Sequence, residues 1–115
     1  MLVKRFADAQ PYQAPNHHGV VGLRLQGFEP GGPVNQWVGL SRFDPGGGAG
    51  PDSTPFEKVY VVLEGELTVR VGGVETVLSK WDSCTIAPDE VREIINASDG
   101  VCAIIVVIPY PPVTT

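Results

Sequence analysis

Short runs of apolar and β-branched residues recur along the chain, separated by Gly, Pro, Asn and Asp. No window keeps the 3.6-residue period of an amphipathic helix, so the pattern predicts strands. The predicted strands cover residues 20–26, 36–43, 58–63, 66–71, 74–79, 83–86, 91–96 and 101–108. This number of short strands is typical of an antiparallel barrel or sandwich.

The separators between the runs predict how the strands connect. Glu64-Gly65 and Gly72-Gly73 each join neighbouring runs so closely that two tight hairpins are expected. Residues 44–55 are rich in Gly and Pro, which predicts a loop at a barrel mouth. Residues 1–19 are interpreted as an extended arm that covers the barrel or crosses to a neighbour. Residues 20–115 then form a single barrel domain.

Composition narrows the class of partner. The 115 residues suffice for one domain, and 13 acidic against 8 basic residues give a net charge of −5, which argues against nucleic acid. The longest uncharged apolar run, residues 101–108, is too short to span a membrane. The N-terminus has no apolar stretch of signal-peptide length, so we expect a cytoplasmic protein without a membrane partner.

Two segments carry a family resemblance. The segment DPGGGAGPDSTPFEKVYVVLEGELTV (44–69) resembles the first motif of the cupin family, and WDSCTIAPDEVREIINASD (81–99) resembles the second. The spacing between them is like that of small single-domain bacterial cupins. The resemblance implies an all-β fold, a cupin-like jelly-roll β-barrel. By analogy with small cupins it also implies a homodimer.

The resemblance does not extend to the metal ligands of the family. Other residue types occupy the four ligand positions: Asp52 and Thr54 (or Pro51 and Ser53), Lys58, and Glu93 (or Arg92). We therefore expect no conventional metal cofactor. A divalent transition metal would need an atypical site built from His17 or His18 with carboxylates such as Glu57 and Glu93.

Lys58 stands at the family's glutamate position. Alternation along residues 58–63 puts Lys58 and Tyr60 on one face, and the resemblance implies that this face points into the barrel. An ammonium there would hold a substrate carboxylate or polarise a carbonyl, and burial would lower its pKa enough for proton transfer. Alternatively, Lys58 pairs with a carboxylate and only fills the vacated site.

Glu93 and Arg92 are neighbours on one predicted strand, so only one of them faces the pocket. An inward Glu93 would form an acid–base pair with Lys58, whereas an inward Arg92 would make the pocket an anion receptor. We favour the inward Glu93. Glu57 points away from the pocket unless a β-bulge exchanges it with Lys58.

We assign catalytic roles to Lys58, Tyr60, Glu93 and, from the arm, His18. The candidate substrate-binding residues are Trp37, Arg42, Glu57 and Arg92. For Arg42, an ion pair at a dimer interface is an equal alternative to lining a cavity for an acidic ligand. His17 and His18, neighbours on an extended segment, face opposite sides, so one of them closes over the pocket or both lie at the surface.

The resulting hypothesis is a small-molecule enzyme of the cupin type. It would transfer a proton, as an isomerase or a lyase, on a carbonyl, carboxylate or sugar-acid substrate. The first alternative is a non-catalytic cupin that binds a small acidic or sugar-like ligand. A second alternative is a metalloenzyme with a relocated site of histidine and carboxylate ligands.

Overall fold

The computed structural model describes residues 1–111, and within them the chain is built of antiparallel strands. A single 3-10 turn at Phe6–Asp8 precedes the strands. The strands are β1 (Gln10–Tyr12), β2 (His17–Gln26), β3 (Gln36–Asp52), β4 (Lys58–Glu64), β5 (Leu67–Val71), β6 (Val74–Leu78), β7 (Ser83–Ile86), β8 (Arg92–Ile95) and β9 (Cys102–Pro109). No helix among the described residues is long and apolar enough to cross a membrane.

The strands follow one another in the order β6-β5-β8-β3-β9-β4-β7, with β2 paired to β3 and β1 paired to β2. Strand β3 belongs to both walls of the nearly closed barrel, because its first half pairs with β9 and its second half pairs with β8. The core lies between these walls and includes the fully buried Phe43, Val62, Leu67 and Ile104. The expected all-β jelly-roll barrel is confirmed.

The predicted loop over residues 44–55 is wrong for most of its length, because β3 continues to Asp52. The glycines here serve close packing. A Cβ on Gly47 would lie 2.3 Å from the carbonyl oxygen of Gly19, and one on Gly48 would lie 2.2 Å from that of Ile94. Only residues without side chains let β3 pass between β2 and β8 at this point.

One predicted hairpin is confirmed and the other is wrong. Gly72 and Gly73, with φ of 57° and 77°, form the two-residue turn between β5 and β6, as a hairpin turn with two positive φ angles requires. At Glu64-Gly65 the chain instead crosses between walls. Strand β4 pairs with β7 and β9, whereas β5 pairs with β6 and β8.

The expected boundary between arm and barrel at residue 19 falls inside a strand. Strand β2 begins at His17, and His17 and His18 already pair with Ala49 and Gly48 of β3. The arm therefore joins the sheet through β1 and the start of β2. The last residues assigned to the barrel domain, 112–115, lie outside the described residues.

Candidate functional site

A cavity of about 300 Å³ lies between the two walls under the chain that links β1 to β2. Small-molecule sites begin at about this volume. Its polar lining residues are Gln13, His17, Ser41, Asp52, Thr54, Lys58, Tyr60 and Arg92, and its apolar ones include Tyr12, Trp37, Phe43, Ile94, Ile104, Val106 and Ile108. Several separate strands supply these side chains, so the fold rather than one local motif assembles the site.

Lys58 and Tyr60 both face the cavity, as alternation along β4 predicts. Lys58 is only 5% exposed and Tyr60 only 2% exposed. Burial lowers the pKa of the Lys58 ammonium, and the positive charge of Arg92 lowers it further, while Asp52 partly offsets both effects. Burial also raises the pKa of the Tyr60 hydroxyl, which therefore stays protonated at neutral pH.

Arg92 is the inward residue of β8, and the expectation that Glu93 faces the cavity is wrong. Ile94 is buried in the core, so alternation turns Arg92 inward and Glu93 outward. The Arg92 Nε donates a 3.0 Å hydrogen bond to the Tyr60 hydroxyl, and Nη1 donates one of 3.1 Å to the Gly50 carbonyl. Glu93 instead forms an ion pair on the outer face, where its Oε1 lies 2.7 Å from Nη1 of Arg70.

His17, rather than the assigned His18, is the histidine of the cavity. The register of β2 with β3 turns His17 inward and leaves His18 exposed, in an adjoining depression that shares His17 and Tyr12 with the cavity. The Nδ1 atom of His17 lies 2.7 Å from the Pro15 carbonyl oxygen, which can only accept a hydrogen bond, so Nδ1 carries the proton. Within residues 1–111 the Nε2 atom has no hydrogen-bond partner. Burial lowers the pKa of His17 despite this contact, and the charges of Arg92 and Lys58 act in the same direction.

Residues 39–108, more than half of the chain, match the Cupin domain family. The chain is a cupin. It is 47% identical over 111 residues to a Mycobacterium tuberculosis protein named beta-D-galactosidase Rv1717, and the match covers 96% of each chain.

Solved structures support the same fold. The polyketide cyclase RemF from Streptomyces resistomycificus superposes with a TM-score of 0.84 at 19% identity, covering 97% of this chain and 82% of that one. A sugar phosphate isomerase of the cupin superfamily from Silicibacter pomeroyi gives 0.71 at 24% identity, covering 82% of this chain and 61% of that one. At these identities the likeness shows a common architecture.

The donor set of this cupin cavity does not fit a metal ion. Among its lining residues only His17 and Asp52 are common ligands for transition metals, and Lys58 and Arg92 place two cationic groups beside them. Within residues 1–111, no group of three His, Cys, Asp or Glu side chains is placed to hold a metal. The atypical set of His17, His18, Glu57 and Glu93 does not converge, because only His17 lines the cavity.

Two further candidate residues lie away from the cavity. Glu57 is exposed and precedes β4, so it points to solvent, as the favoured reading of the alternation predicts. Arg42 is exposed on the outer face of β3, where its guanidinium lies 5.3 Å from the centre of the Phe6 ring. The assignment of both residues to substrate binding is wrong: Ser41 and Phe43 take the inward positions beside Arg42, and Lys58 takes the inward position beside Glu57.

Trp37 lines the cavity as expected, and Tyr12 joins it without having been predicted. The two rings meet edge to face, with centroids 5.2 Å apart at an interplanar angle of 86°. The Tyr12 side chain lies over two glycines: a Cβ on Gly22 would come 3.0 Å from its ring, and one on Gly39 would come 2.8 Å from its hydroxyl oxygen. The sequence did hold a signal for the position of Tyr12. Two glycines stand at inward positions of predicted strands, and such positions leave room for an aromatic side chain from the arm.

Proposed function

We propose that this cupin is a small-molecule enzyme that transfers a proton on a carbonyl, carboxylate or sugar-acid substrate, as an isomerase or a lyase. One observation carries the proposal: two buried cations, Lys58 and Arg92, line the same small cavity as Tyr60 and a histidine with a free Nε2. Buried cations without a buried carboxylate partner are costly for the fold. An anionic substrate or transition state would supply the missing negative charge.

The chemistry follows from the protonation states. Neutral His17 takes a proton from the carbon next to the substrate carbonyl, and the C–H electron pair becomes the double bond of an enolate. Lys58 and Arg92 stabilise the oxygen anion that develops, and the Tyr60 hydroxyl donates a hydrogen bond to it. With an α-hydroxy carbonyl substrate, the enolate oxygen takes the proton of the α-hydroxyl, and return of the first proton to the former carbonyl carbon completes an isomerisation. Departure of a leaving group with its electron pair from the β-carbon instead completes an elimination.

The volume of the cavity limits the size of the substrate. An apolar cavity of about 150 Å³ accepts benzene, so the roughly twofold larger space here accepts a single ring with one or two substituents. A monosaccharide derivative or another single-ring acid meets this limit. A chain of linked sugars could enter only with its terminal unit.

Hydrolysis of β-D-galactosides is the second candidate, and the identity of 47% to the beta-D-galactosidase from Mycobacterium tuberculosis favours it. Most glycosidases use two carboxyl groups that flank the scissile bond. Among the lining residues of the cavity Asp52 supplies one carboxylate. Hydrolysis here would therefore pair Asp52 with an acid of another type, such as Lys58 or Tyr60.

The deciding experiment measures turnover of keto acids and uronates by the purified protein. A nitrophenyl β-D-galactoside is added as the substrate that tests hydrolysis. Lys58→Met should abolish turnover, while Lys80→Met, which removes an exposed lysine, should leave it unchanged. Unchanged turnover in Lys58→Met would remove the mechanism. Binding without turnover of any substrate by the wild-type protein would favour the alternative of a ligand-binding cupin.

We propose further that the reaction needs no metal ion. The two cations in the cavity support this, because they would repel a metal and can stabilise the same negative charge. Turnover should survive dialysis against a strong chelator. Loss of turnover that one added metal restores would contradict the proposal.

A homodimer is proposed on the strength of the outer sheet face. Leu23, Val61 and Ile105 are partly exposed and lie in one apolar row across paired strands, on the side away from the cavity; Leu40, in the same row, is already buried at 7% exposure. Beside this row Val21 is 56% exposed. Packing two such faces together would bury them in a second copy. Light scattering after gel filtration should give twice the chain mass for the wild type and a monomer for Val61→Glu. A monomeric wild type would refute the pairing.

We also propose a cytoplasmic location, with small molecules rather than nucleic acid or membranes as partners. The net charge of −5 supports the exclusion of nucleic acid. Fractionation of cells that express the tagged chain checks the location, and recovery in a membrane or secreted fraction would contradict it.

A further inference from the structure

Two neighbouring strands of the cavity wall differ in the kind of side chain that they contribute. Strand β4 contributes Lys58 and Tyr60, whereas β9, its neighbour in the sheet, contributes the aliphatic Ile104, Val106 and Ile108. The wall therefore changes from cationic to aliphatic within one strand spacing, about 5 Å. We call the three β9 side chains the aliphatic floor.

An aromatic side chain lies on the far side of this floor. Val106 pairs with Tyr60 on one side and with Gly39 of β3 on the other, and in the same register Ile108 pairs with Trp37. Trp37 is thus two strand spacings, about 10 Å, from the strand of Lys58. Tyr12 stands perpendicular to the Trp37 ring, so the two rings together form the aromatic part of the cavity wall.

Arg92 adds a second positive charge at the end of the cavity that lies opposite Trp37. It reaches the cavity from the other wall, and its bond to the Tyr60 hydroxyl anchors the guanidinium on the side of β4. Lys58 and Arg92 are 5% and 6% exposed, so a negative group between them would be held largely out of water.

We infer that the cavity selects a single-ring carboxylic acid, with its carboxylate against Lys58 and Arg92, its short chain on the aliphatic floor and its ring against Trp37. This inference rests on the proposed function and narrows its substrate from carbonyl and sugar acids to ring-bearing keto acids. In such a substrate the enolisable carbon lies between the carboxylate-bearing end and the ring, in the middle of the cavity.

A sugar acid fits the same volume less well. Ring hydroxyls over Val106 and Ile108 would find no hydrogen-bond partner in these side chains, and only at Ile104 does a hydroxyl, that of Ser41, lie opposite on β3. Each hydroxyl buried there without a partner costs roughly a factor of ten in affinity. An apolar ring loses nothing on this floor and gains contact with Trp37.

Calorimetric binding of a small ligand series tests the inference on the wild-type protein. The series contains 3-phenylpropionate, its uncharged amide and galacturonate, with phenylacetate and benzoate as shorter acids. We expect 3-phenylpropionate to bind at least tenfold more tightly than either the amide or galacturonate. Galacturonate binding as tightly as 3-phenylpropionate, or the amide binding as tightly as the acid, would overturn the inference.

Variants of the two tryptophans locate the ring. Trp37→Leu should weaken 3-phenylpropionate binding about tenfold and leave galacturonate binding unchanged, whereas Trp81→Leu, at a tryptophan 69% exposed, should change neither. Circular dichroism confirms that both variants fold. Equal binding by wild type and a folded Trp37→Leu protein would contradict the assignment of the ring.

Turnover separates this inference from the proposed function. Enolisation of phenylpyruvate followed by ultraviolet absorbance, with binding of 3-phenylpropionate, supports both. Binding of 3-phenylpropionate with no turnover of any keto acid or uronate sinks the proposed function alone. Turnover of a uronate with weak binding of every aryl acid sinks the inference alone.

Discussion

The Nε atom of Arg92 on β8 lies 3.0 Å from the hydroxyl oxygen of Tyr60 on β4, and this hydrogen bond joins the two walls of the barrel inside the cavity. A second bond, from Nη1 to the Gly50 carbonyl, fixes the plane of the guanidinium. A charged group that is anchored in this way keeps its position before a substrate arrives. Such preorganisation is what electrostatic stabilisation of an anion requires.

Tyr60→Phe should lower the free energy of unfolding by about 1–3 kcal/mol, because it leaves the buried Arg92 Nε without an acceptor. Urea unfolding of both proteins at pH 7 measures the difference. A double-mutant cycle with Arg92→Met isolates the contact. If the two single effects simply add, the hydrogen bond contributes no coupling and this account of it fails.

Lys58→Met should raise the free energy of unfolding at pH 7 by an amount on the order of 1 kcal/mol, since a buried charge is replaced by an apolar side chain. The folded-state pKa of Lys58 lies below its usual value of 10.5, so between the two pKa values the unfolded chain binds more protons. The contribution of Lys58 to the free energy of unfolding therefore rises with pH across that alkaline window.

Lys58→Met should remove this rising contribution, so that its stability relative to wild type falls with pH, whereas Lys80→Met should run parallel to wild type. Urea midpoints collected from pH 7 to pH 10.5 give the comparison. A Lys58→Met protein less stable than wild type at pH 7 would mean that the ammonium has a stabilising partner.

Glu93→Gln should change neither turnover nor, by more than about 1 kcal/mol, the free energy of unfolding. Its carboxylate pairs with Arg70 at 2.7 Å on the outer face, and the two side chains are 32% and 45% exposed. Solvent and salt screen such a pair. A large loss of turnover in Glu93→Gln would restore the catalytic role that the sequence suggested for it.

The inward Lys58 and Tyr60 could be predicted because alternation along β4 puts them on one face, and the resemblance to the cupin family implies that this face points into the barrel. In β8 the two faces end in Ile94 and Ile95, which are equally apolar. Either register was therefore compatible with the pattern, and the choice between Arg92 and Glu93 depended on packing against β3 and β5.

The arm was beyond prediction for a different reason. Local propensity does not say that β1 adds to the edge of β2, since three residues form too weak a signal. The position of Tyr12 follows from that pairing, and the choice of His17 over His18 follows from the register of β2 with β3. Long-range contacts of this kind are visible only in the folded chain.

Turnover should depend on the protonation of His17, whose pKa is lowered from its usual 6.5 chiefly by burial. The base must be neutral, so activity should fall as the pH drops through a pKa below 6.5 and level off above it. Stability should follow the same direction: between the folded pKa and 6.5 the unfolded chain binds more protons, so acid destabilises the fold in this window.

The control is His18→Gln, at an exposed histidine outside the cavity, which should preserve both profiles. His17→Gln should remove the acid limb together with most of the turnover. A His17→Gln enzyme that keeps the wild-type pH profile would assign the titration to another group and exclude His17 as the base.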